Sequence, residues 1–463
     1  MVFSSIFFLW VFLPFSLCGY HLLNKKYQNT FLLIISLLFY SWGEPQSIII
    51  LLSSIIANYF LALLMDKSGK FRKPLFITII CLNVFILFYY KYLSFILSEI
   101  IGYDKITKNI PLPIGISFYT FSILSYIIEV YRKNTAAIKN ITHLGLYITF
   151  FPKITQGPIV KYTDFIPQLS DRTITINKFY TGIVRFILGL GKKLLIANIL
   201  GGMVDEIFQL SPNQLSTSTA WLGAAGYTLQ IYYDFSGYSD MAIGLALMFG
   251  FNIKENFNYP YLSTSIKDFW KRWHISLNVW FRDYIYIPLG GNKKGKKRTY
   301  INTIVVFLIT GIWHGANWTF LFWGLYHGII QIMESALWGN YLKKFKITSL
   351  IYTNLIVLTG WVLFRADNIK HALIFIKNMF IYQAELPNFK VSNFINNKII
   401  VVLIIGIIFS GFIQNIFFKV NNHLKVPEVL SEILKIIFLI GIIFLCLMSL
   451  AVGSYNTFIY FKF

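Results

Sequence analysis

A histidine between two apolar stretches is the residue whose type and setting best suit chemistry in this chain. His314 lies in the segment 311–319, GIWHGANWT, where Gly311 and Gly315 leave room for close approach of a backbone or a substrate. An ionisable side chain is costly in apolar surroundings, and an imidazole can take a proton from a hydroxyl near neutral pH. The segment therefore predicts either a general base or a core histidine that hydrogen-bonds a neighbouring helix.

A second histidine, His274, lies in the basic and aromatic segment 271–278, KRWHISLN. On local pattern alone we expect it to contact water or lipid headgroups, as histidines among surface basic residues usually do. The wider segment 251–300 also contains Trp270 and Trp273. Its mixture of aromatic and basic residues predicts an amphipathic helix that lies at the membrane surface or dips into the protein, with aromatic rings at headgroup level.

Two acids form a third cluster in an otherwise apolar stretch. Asp234 and Asp240 lie in the segment 232–240, YYDFSGYSD. We expect the acids to pair with a lysine or arginine, or residues such as Ser236 and Asp240 to cap the start of a helix. A further histidine in an apolar stretch, His327, is interpreted as a packing residue.

The rest of the sequence contains no other known catalytic constellation. It has no Gly-rich phosphate loop, serine elbow, His-Glu metal helix or cysteine pair. The cysteines Cys18, Cys81 and Cys446 lie in apolar stretches, too far apart for metal-ligand spacing. We expect neither a bound metal nor a permanently bound cofactor.

These candidate residues must be positioned by helices within a lipid bilayer. The chain has 463 residues, of which 56% are hydrophobic and only 13% charged, whereas about a quarter of the residues of a soluble domain are charged. Apolar stretches lie at residues 3–23, 28–42, 47–65, 75–99, 111–131, 140–152, 178–200, 217–250, 300–335, 349–364, 397–418 and 431–453. The short ones are predicted to be re-entrant or protein-enclosed helices, because lipid cannot satisfy open backbone groups. The pattern predicts an all-α polytopic membrane protein with about ten to twelve transmembrane helices and a single domain over residues 1–463.

The positive charge of the chain indicates its orientation in the membrane. The formal net charge is +22, but the basic residues lie in short loops between apolar stretches. Lys67 and Lys70 belong to one such loop, and the densest is the segment 293–298, KKGKKR. Because cytoplasmic loops are enriched in Lys and Arg, both loops are predicted to be cytoplasmic. The charge then favours anionic lipid as its partner, and nucleic acid is not expected.

The segments 269–277, FWKRWHISL, and 312–320, IWHGANWTF, are two long motifs. They resemble the membrane-bound O-acyltransferase (MBOAT) family, and specifically its bacterial alginate O-acetyltransferase branch. Four shorter segments add to the resemblance: 1–5, MVFSS; 113–121, PIGISFYTF; 156–159, QGPI; and 233–242, YDFSGYSDMA. The likeness therefore extends along the whole chain.

The resemblance implies an all-α fold in which transmembrane and re-entrant helices surround a central tunnel from the cytoplasm. It implies that His314 is catalytic near the centre of the tunnel, and that His274 shapes its cytoplasmic opening or orders the donor. Members of this branch take acetyl from a cytoplasmic thioester, with acetyl-CoA as the expected donor. They serve O-acetylation of an extracytoplasmic polysaccharide, together with a separate SGNH-type acetyltransferase. The location implied is the cytoplasmic membrane of a bacterium.

The last six residues, 458–463, have the sequence FIYFKF. They resemble an aromatic terminal motif of this branch and of a small partner protein in teichoic-acid D-alanylation, in which the tyrosine is the proposed acyl acceptor. The resemblance implies that Tyr460 is an acyl carrier. A phenol, with a pKa of about 10, is easier to deprotonate than a sugar hydroxyl and leaves more readily afterwards. The alternative is an interfacial aromatic anchor.

The expected function is transfer of acetyl across the membrane for O-acetylation of a glycan such as alginate or peptidoglycan. His314 is the expected base, with Asn317 or a backbone N–H near Gly315 as a candidate oxyanion donor. D-alanyl transfer to teichoic acid is the alternative within the enzyme class. A transporter or flippase is the alternative outside it, with the intramembrane histidines and acids forming a substrate or proton pathway. Such transporters often have halves with matching broken helices, which we do not find in the sequence.

Overall fold

The computed structural model describes residues 1–103, 111–413 and 427–453, and their regular secondary structure is helical, with no β-strand among them. The described residues form two compact units. The first comprises Met1–Phe186 and Ser239–Lys254, and the second comprises the described parts of Ile187–Tyr238 and Glu255–Phe463. The prediction of an all-α protein is confirmed. The single domain over residues 1–463 stays a prediction.

The first unit begins with helices joined by short loops. Its α-helices are α1 (Leu13–Leu22), α2 (Lys25–Gly43), α3 (Ser47–Lys67), α4 (Arg72–Lys91), α5 (Leu93–Phe95), α6 (Ile116–Tyr131), α7 (Ile141–Thr149), α8 (Phe151–Ile154), α9 (Tyr162–Phe165) and α10 (Pro167–Asp171). Two helices have residues in both units, namely α11 (Ile176–Gly191) and α13 (Thr217–Met248).

The second unit contains most of the sequence motifs. Its further α-helices are α12 (Asn198–Phe208), α14 (Ile266–Arg272), α15 (Ile275–Phe281), α16 (Gly295–His314), α17 (Trp318–Met333), α18 (Gly339–Lys344), α19 (Lys346–Arg365), α20 (Ile369–Phe380), α21 (Val391–Phe394), α22 (Asn397–Ile407) and α23 (Glu428–Ala451). In the first unit, π-helical turns occur at Phe8–Phe12 and Ile96–Ile100. In the second unit they occur at Lys192–Ala197, Arg282–Tyr286, Glu334–Trp338 and Ile408–Phe412. Short 3-10 turns occur at Pro260–Leu262 and Pro387–Phe389.

Four helices of the described chain are long and apolar enough to cross a membrane. They are Ser47–Lys67, Arg72–Lys91, Lys346–Arg365 and Val429–Ala451. Shorter apolar helices lie at Phe8–Leu22, Ile116–Tyr131 and Asn397–Phe412. A span of about 30 Å of hydrocarbon needs about 20 helical residues, which these four helices provide. The chain is therefore an integral membrane protein, whereas the number of ten to twelve spans stays a prediction.

A reciprocal amide contact joins α3 and α4 in the first unit. The Asn58 side chain donates to Asn83 Oδ1 at 3.0 Å, and the Asn83 side chain donates to Asn58 Oδ1 at 2.8 Å. Each amide also donates to the carbonyl four residues earlier on its own helix. Polar side chains within a membrane protein are stable when they satisfy one another across a helix pair. This contact therefore holds two apolar helices in one register.

The acids of the third cluster lie in the interior of α13, where they form ion pairs. Asp234 pairs with Lys193, and both side chains are buried within the second unit. Asp240 pairs with Arg185 of the first unit, with 2.8 Å between Asp240 Oδ1 and Arg185 Nη2. The expectation of basic partners is confirmed. Helix capping by Ser236 or Asp240 is wrong, because α13 continues through both residues as one helix of 32 residues.

Candidate active site

The His314 motif forms the turn of a helical hairpin in the second unit. The sequence shows one apolar stretch over residues 300–335, but the structure divides it into α16 and α17, with His314 as the last residue of α16. Asn317 caps α17, because its side chain accepts the N–H of Thr319 at 3.0 Å. The Asn317 amide also donates to the carbonyl of Asp367 at 3.0 Å. Asn317 therefore holds the turn that follows the histidine.

Aromatic rings surround the imidazole of His314, which is only 5% exposed. The ring of Trp323 lies 5.1 Å away at right angles, and the ring of Phe364 lies 5.1 Å away, also nearly perpendicular. Trp313, the preceding residue, lies 4.8 Å away. Such walls exclude water, and hydrogen bonds and charges act more strongly in a site of low dielectric constant. His314 thus lies where a proton transfer would be shielded from solvent.

The segment around His274 is not one amphipathic helix at the surface. The chain forms α14 and α15, which are interrupted at Trp273 and His274, and His274 adopts a left-handed backbone with φ of 46°. The side chains of Trp270 and Trp273 are buried in the second unit. The expectation of a solvated His274 is therefore wrong, and the burial fits the alternative of a segment that dips into the protein. The position of the rings at headgroup level stays a prediction. The sequence showed the mixture of residue types, but the break in the helix turns its aromatic residues into the protein.

The start of α14 is anchored by a buried carboxylate. Both carboxylate oxygens of Glu334, in the turn after α17, accept the N–H of Ile266, at 2.9 and 3.0 Å. An acid at a helix N-terminus satisfies an otherwise unpaired N–H and interacts favourably with the helix dipole. Ser265 adds a side-chain cap by accepting the N–H of Asp268 at 3.0 Å. The Glu334 contact ties α14, and with it Trp270, to the hairpin that carries His314.

Asn256 holds the imidazole of His274. The distance between His274 Nδ1 and Asn256 Oδ1 is 3.2 Å. Ser276 donates to the same oxygen, from its N–H at 3.2 Å and from its hydroxyl at 2.8 Å. Sequence analysis missed Asn256 and Glu334. Neither lies in a recognisable local motif, and each reaches the site only through the fold.

A cavity of about 400 Å³ opens beside His274 in the second unit. Its basic lining residues are Lys267, Lys271 and Arg282, and its wall also includes Trp270 and Phe307. Further lining residues are polar: Asn278, Tyr286, Asn292, Thr299, Tyr300, Thr303, Thr310, Gln331 and Ser335. A volume of this size suits a ligand of several hundred daltons. The mixture of cations with polar and aromatic groups suits an anionic, partly apolar molecule.

The cavity and His314 are connected through two elements. Thr310 lines the cavity on α16, and His314 lies one helical turn further along the same helix. On the other side, Trp270 of the cavity wall lies 5.5 Å from Trp323, which is the perpendicular neighbour of His314. The fold therefore places His274 at the cavity wall and His314 behind a layer of tryptophan rings.

The two predicted histidines share one neighbour. The ring of Trp313 lies 6.2 Å from that of His274 and 4.8 Å from that of His314. Residues separated by forty positions in sequence are thereby brought to the same aromatic cluster. Their roles stay predictions. The third prediction, Tyr460, lies outside the described residues.

His327 is completely buried in the same cluster. Its ring lies 5.1 Å from Trp270 and 5.3 Å from Trp323. A Cβ on Gly360 of α19 would lie 2.6 Å from its Nε2, so the glycine makes room for the ring. Neither ring nitrogen has a hydrogen-bond partner within the described ranges. The described contacts of His327 are with aromatic rings, and its role as a packing residue stays a prediction.

Among the described residues, histidine, cysteine, aspartate and glutamate side chains form no group of three or more that could hold a metal ion. The candidate site is instead made of imidazole, indole, amide and hydroxyl groups, with cations along the cavity. Such groups are suited to moving protons and binding anions.

Comparisons with known proteins show which family the chain resembles. The model of the MBOAT, membrane-bound O-acyltransferase family matches residues 138–365, which include both histidine motifs. A probable alginate O-acetylase AlgI from Pseudomonas putida is 42% identical over 380 residues, covering 80% of this chain and 78% of that protein.

Two relatives named for other activities are also similar. A peptidoglycan O-acetyltransferase from Helicobacter pylori is 33% identical over 421 residues, covering 82% of this chain and 80% of that protein. A teichoic acid D-alanyltransferase from Bacillus subtilis is 30% identical over 245 residues, covering 50% of this chain and 61% of that protein. The family model includes both histidine motifs, and relatives that are 42% and 33% identical match about four fifths of the chain. The chain therefore belongs to the membrane-bound O-acyltransferase family and is an acyltransferase.

Proposed function

We propose that this protein takes an acetyl group from a cytoplasmic thioester, expected to be acetyl-CoA, and passes it to a hydroxyl for O-acetylation of an extracytoplasmic glycan. The observation that carries the proposal is the position of His314. It lies in an aromatic, water-excluding cluster one helical turn beyond a cavity lined by cations. A base in a dry site, adjoining a cavity suited to an anion, fits acyl transfer from a phosphate-bearing thioester.

The proposed role of the cavity is to bind the donor. Lys267, Lys271 and Arg282 would contact its phosphates, since ammonium and guanidinium groups form charge-assisted hydrogen bonds with phosphate oxygens. The apolar wall, with Trp270 and Phe307, would contact the arm that carries the thioester. His274 would order that arm. The thioester of a donor bound in this way would lie beside α16, the helix that ends at His314.

The proposed chemistry is general-base acyl transfer. A nitrogen of His314 takes the proton of the acceptor hydroxyl while the oxygen attacks the thioester carbonyl carbon. A C–O bond forms, the C–S bond breaks, and the sulfur leaves as a thiolate that takes the proton from the imidazolium. A neutral imidazole is thereby regenerated. Either Tyr460 receives the acetyl as a carrier, or an external hydroxyl receives it directly.

Acetyl is preferred to D-alanine as the transferred group for two reasons. The relatives named for O-acetylation match about four fifths of this chain, whereas the D-alanyltransferase matches half. The aromatic tail is also part of this chain, whereas D-alanylation is expected to use a separate small protein. Transfer to the final glycan would require an extracytoplasmic SGNH-type acetyltransferase as partner, in the cytoplasmic membrane of a bacterium. Membership in an acyltransferase family disfavours the transporter alternative.

The test measures thiol release and acetyl transfer by the purified full chain. With acetyl-CoA as donor, His314→Ala should lower kcat by a factor of about a hundred to ten thousand, as expected for loss of a general base. His371→Ala is the matched control, because His371 lies in the same unit but packs against Phe208 and Phe375. Near-normal turnover in His314→Ala would remove His314 from the mechanism. Turnover with a D-alanyl carrier protein and none with acetyl-CoA would mean that the transferred group is D-alanine rather than acetyl.

A further inference from the structure

Asn256 fixes which nitrogen of His274 carries a proton. Asn256 Oδ1 faces the backbone N–H of Ser276, and a backbone N–H can only donate. The atom that it meets is therefore the amide oxygen, which accepts and cannot donate. The same oxygen lies 3.2 Å from His274 Nδ1. Nδ1 must accordingly carry the hydrogen in this contact.

The other nitrogen is then an acceptor. A neutral imidazole has one N–H, so Nε2 of His274 carries a lone pair when Nδ1 is protonated. Nε2 is buried and has no hydrogen-bond partner in the part of the chain that the structure describes. Buried polar atoms in native proteins nearly always have a partner, from the protein, from water or from a ligand. His274 is one of the residues that line the cavity, although Nε2 itself is buried, so a molecule in the cavity would have to reach in beside the ring to supply the partner.

The backbone around His274 supports a functional role for the pair. His274 adopts φ of 46°, a left-handed conformation that is unfavourable for residues other than glycine. The carbonyl of Asn256 accepts the N–H of Ile275 at 2.9 Å, immediately after the strained residue. Asn256 therefore orients both the backbone and the ring of His274. A substitution of the Asn256 side chain removes the contact with the ring of His274 and leaves the backbone contact with Ile275 in place.

We propose that Asn256 is a positioning residue that holds His274 in the Nδ1–H form, so that Nε2 accepts a hydrogen bond from an amide N–H of the acyl donor's arm. This inference rests on the proposed function. A ring in the opposite form would present an N–H and would favour the thioester carbonyl or a phosphate oxygen. With Nε2 as an acceptor, His274 selects a donor whose arm carries N–H groups near the thioester, and it does not itself protonate the leaving sulfur.

The first experiment determines the protonation of His274 without any acyl donor. The protein contains seven histidines, and ring-¹⁵N labelling with a His274→Gln variant identifies the signals of His274. The ring shifts should show a protonated Nδ1 and a lone pair on Nε2. In Asn256→Leu this preference should be lost. A protonated Nε2 in the unmodified protein would overturn the proposal. Because no turnover is measured, failure of the proposed acetyl transfer would not affect this result.

The second experiment measures kinetics with acetyl-CoA. Asn256→Leu should lower kcat/KM about tenfold or more, whereas Asn256→Asp keeps an acceptor for Nδ1 and should retain most of the activity. Asn378→Leu is the matched control, since Asn378 is another buried asparagine of this unit and its amide donates to the carbonyls of Pro212 and Leu215. Activity should be expressed per folded protein, from gel filtration and thermal unfolding in detergent. Equal losses in the Leu and Asp variants, or full activity in Asn256→Leu, would overturn the positioning role.

Discussion

Gly311 of α16 and Gly324 of α17 meet where the two helices cross. A Cβ on Gly311 would lie 2.3 Å from the carbonyl oxygen of Phe320, and a Cβ on Gly324 would lie 2.3 Å from that of Phe307. Small residues let helix backbones in membrane proteins approach this closely. Gly311 precedes His314 by less than one helical turn. The crossing therefore sets the position of the catalytic candidate relative to α17 and its Trp323.

Gly324→Ala should separate α16 from α17, because the added methyl group meets backbone rather than a movable side chain. We expect a loss of about 1–3 kcal/mol in stability and at least a tenfold loss of acetyl transfer. Thermal unfolding in detergent and turnover with acetyl-CoA measure the two effects. Gly202→Ala in α12 is the control, since a Cβ there meets no atom within 4 Å. The stability of the Gly202→Ala variant should rise by up to about 1 kcal/mol. Full activity in Gly324→Ala would show that the crossing does not position His314.

The buried Lys193–Asp234 pair should be sensitive to loss of one partner and tolerant of loss of both. Both side chains are almost completely buried. Lys193→Met or Asp234→Leu alone removes the opposite charge of this pair from a buried charge and should destabilise the protein by about 3–5 kcal/mol. The double variant replaces the pair by apolar groups and should recover most of that loss. Unfolding of the three variants measures the coupling energy. Additive losses would mean that the pair acts as two independent residues.

The segment 293–298 is predicted to face the cytoplasm, and the structure indicates where to place the labels. Gly295 has φ of +83°, which disfavours a cysteine, whereas Lys296 is exposed at the start of α16. The 20 residues of α16 span about 30 Å, so Lys296 and His314 lie near opposite ends of a long helix. Asp367, whose carbonyl binds Asn317, marks the His314 end.

Lys296→Cys should therefore resist a membrane-impermeant thiol reagent in intact cells, and Asp367→Cys should react, each in a background whose three native cysteines are replaced by alanine. Both should react after permeabilisation, which controls for accessibility. The opposite pattern would place the donor cavity on the outer side of the membrane and would contradict a cytoplasmic thioester.

Tyr460→Phe should abolish glycan acetylation if Tyr460 carries the acetyl group. The substitution keeps the ring, on which an interfacial anchor depends, and removes the hydroxyl, on which a nucleophile depends. Tyr455→Phe, five positions earlier in the sequence, is the control and should keep its acetylation. Mass spectrometry of the C-terminal peptide from cells supplied with labelled acetate should show an ester on Tyr460 that is absent in His314→Ala. Wild-type acetylation in Tyr460→Phe would favour direct transfer to an external hydroxyl.

Local sequence was sufficient to predict a membrane protein and to recognise the two histidine motifs. Apolar stretches predict helices because a chain in lipid must satisfy its backbone internally, whatever its topology. Basic partners for Asp234 and Asp240 were likewise predictable, because an unpaired acid in an apolar helix is too costly to keep. Each of these predictions rests on a residue and its immediate neighbours.

Only the tertiary structure decided how the site is assembled. The break at His274, which turns Trp270 and Trp273 inward, depends on contacts with Asn256, 18 positions earlier in the chain. The anchoring of α14 by Glu334 spans 68 positions. Such contacts form wherever packing brings a donor to an acceptor, and no periodicity of the sequence encodes them. The sequence by itself therefore determined the candidate residues and the membrane class, while the packing of the helices decided that His274 lines the cavity and that both histidines contact Trp313.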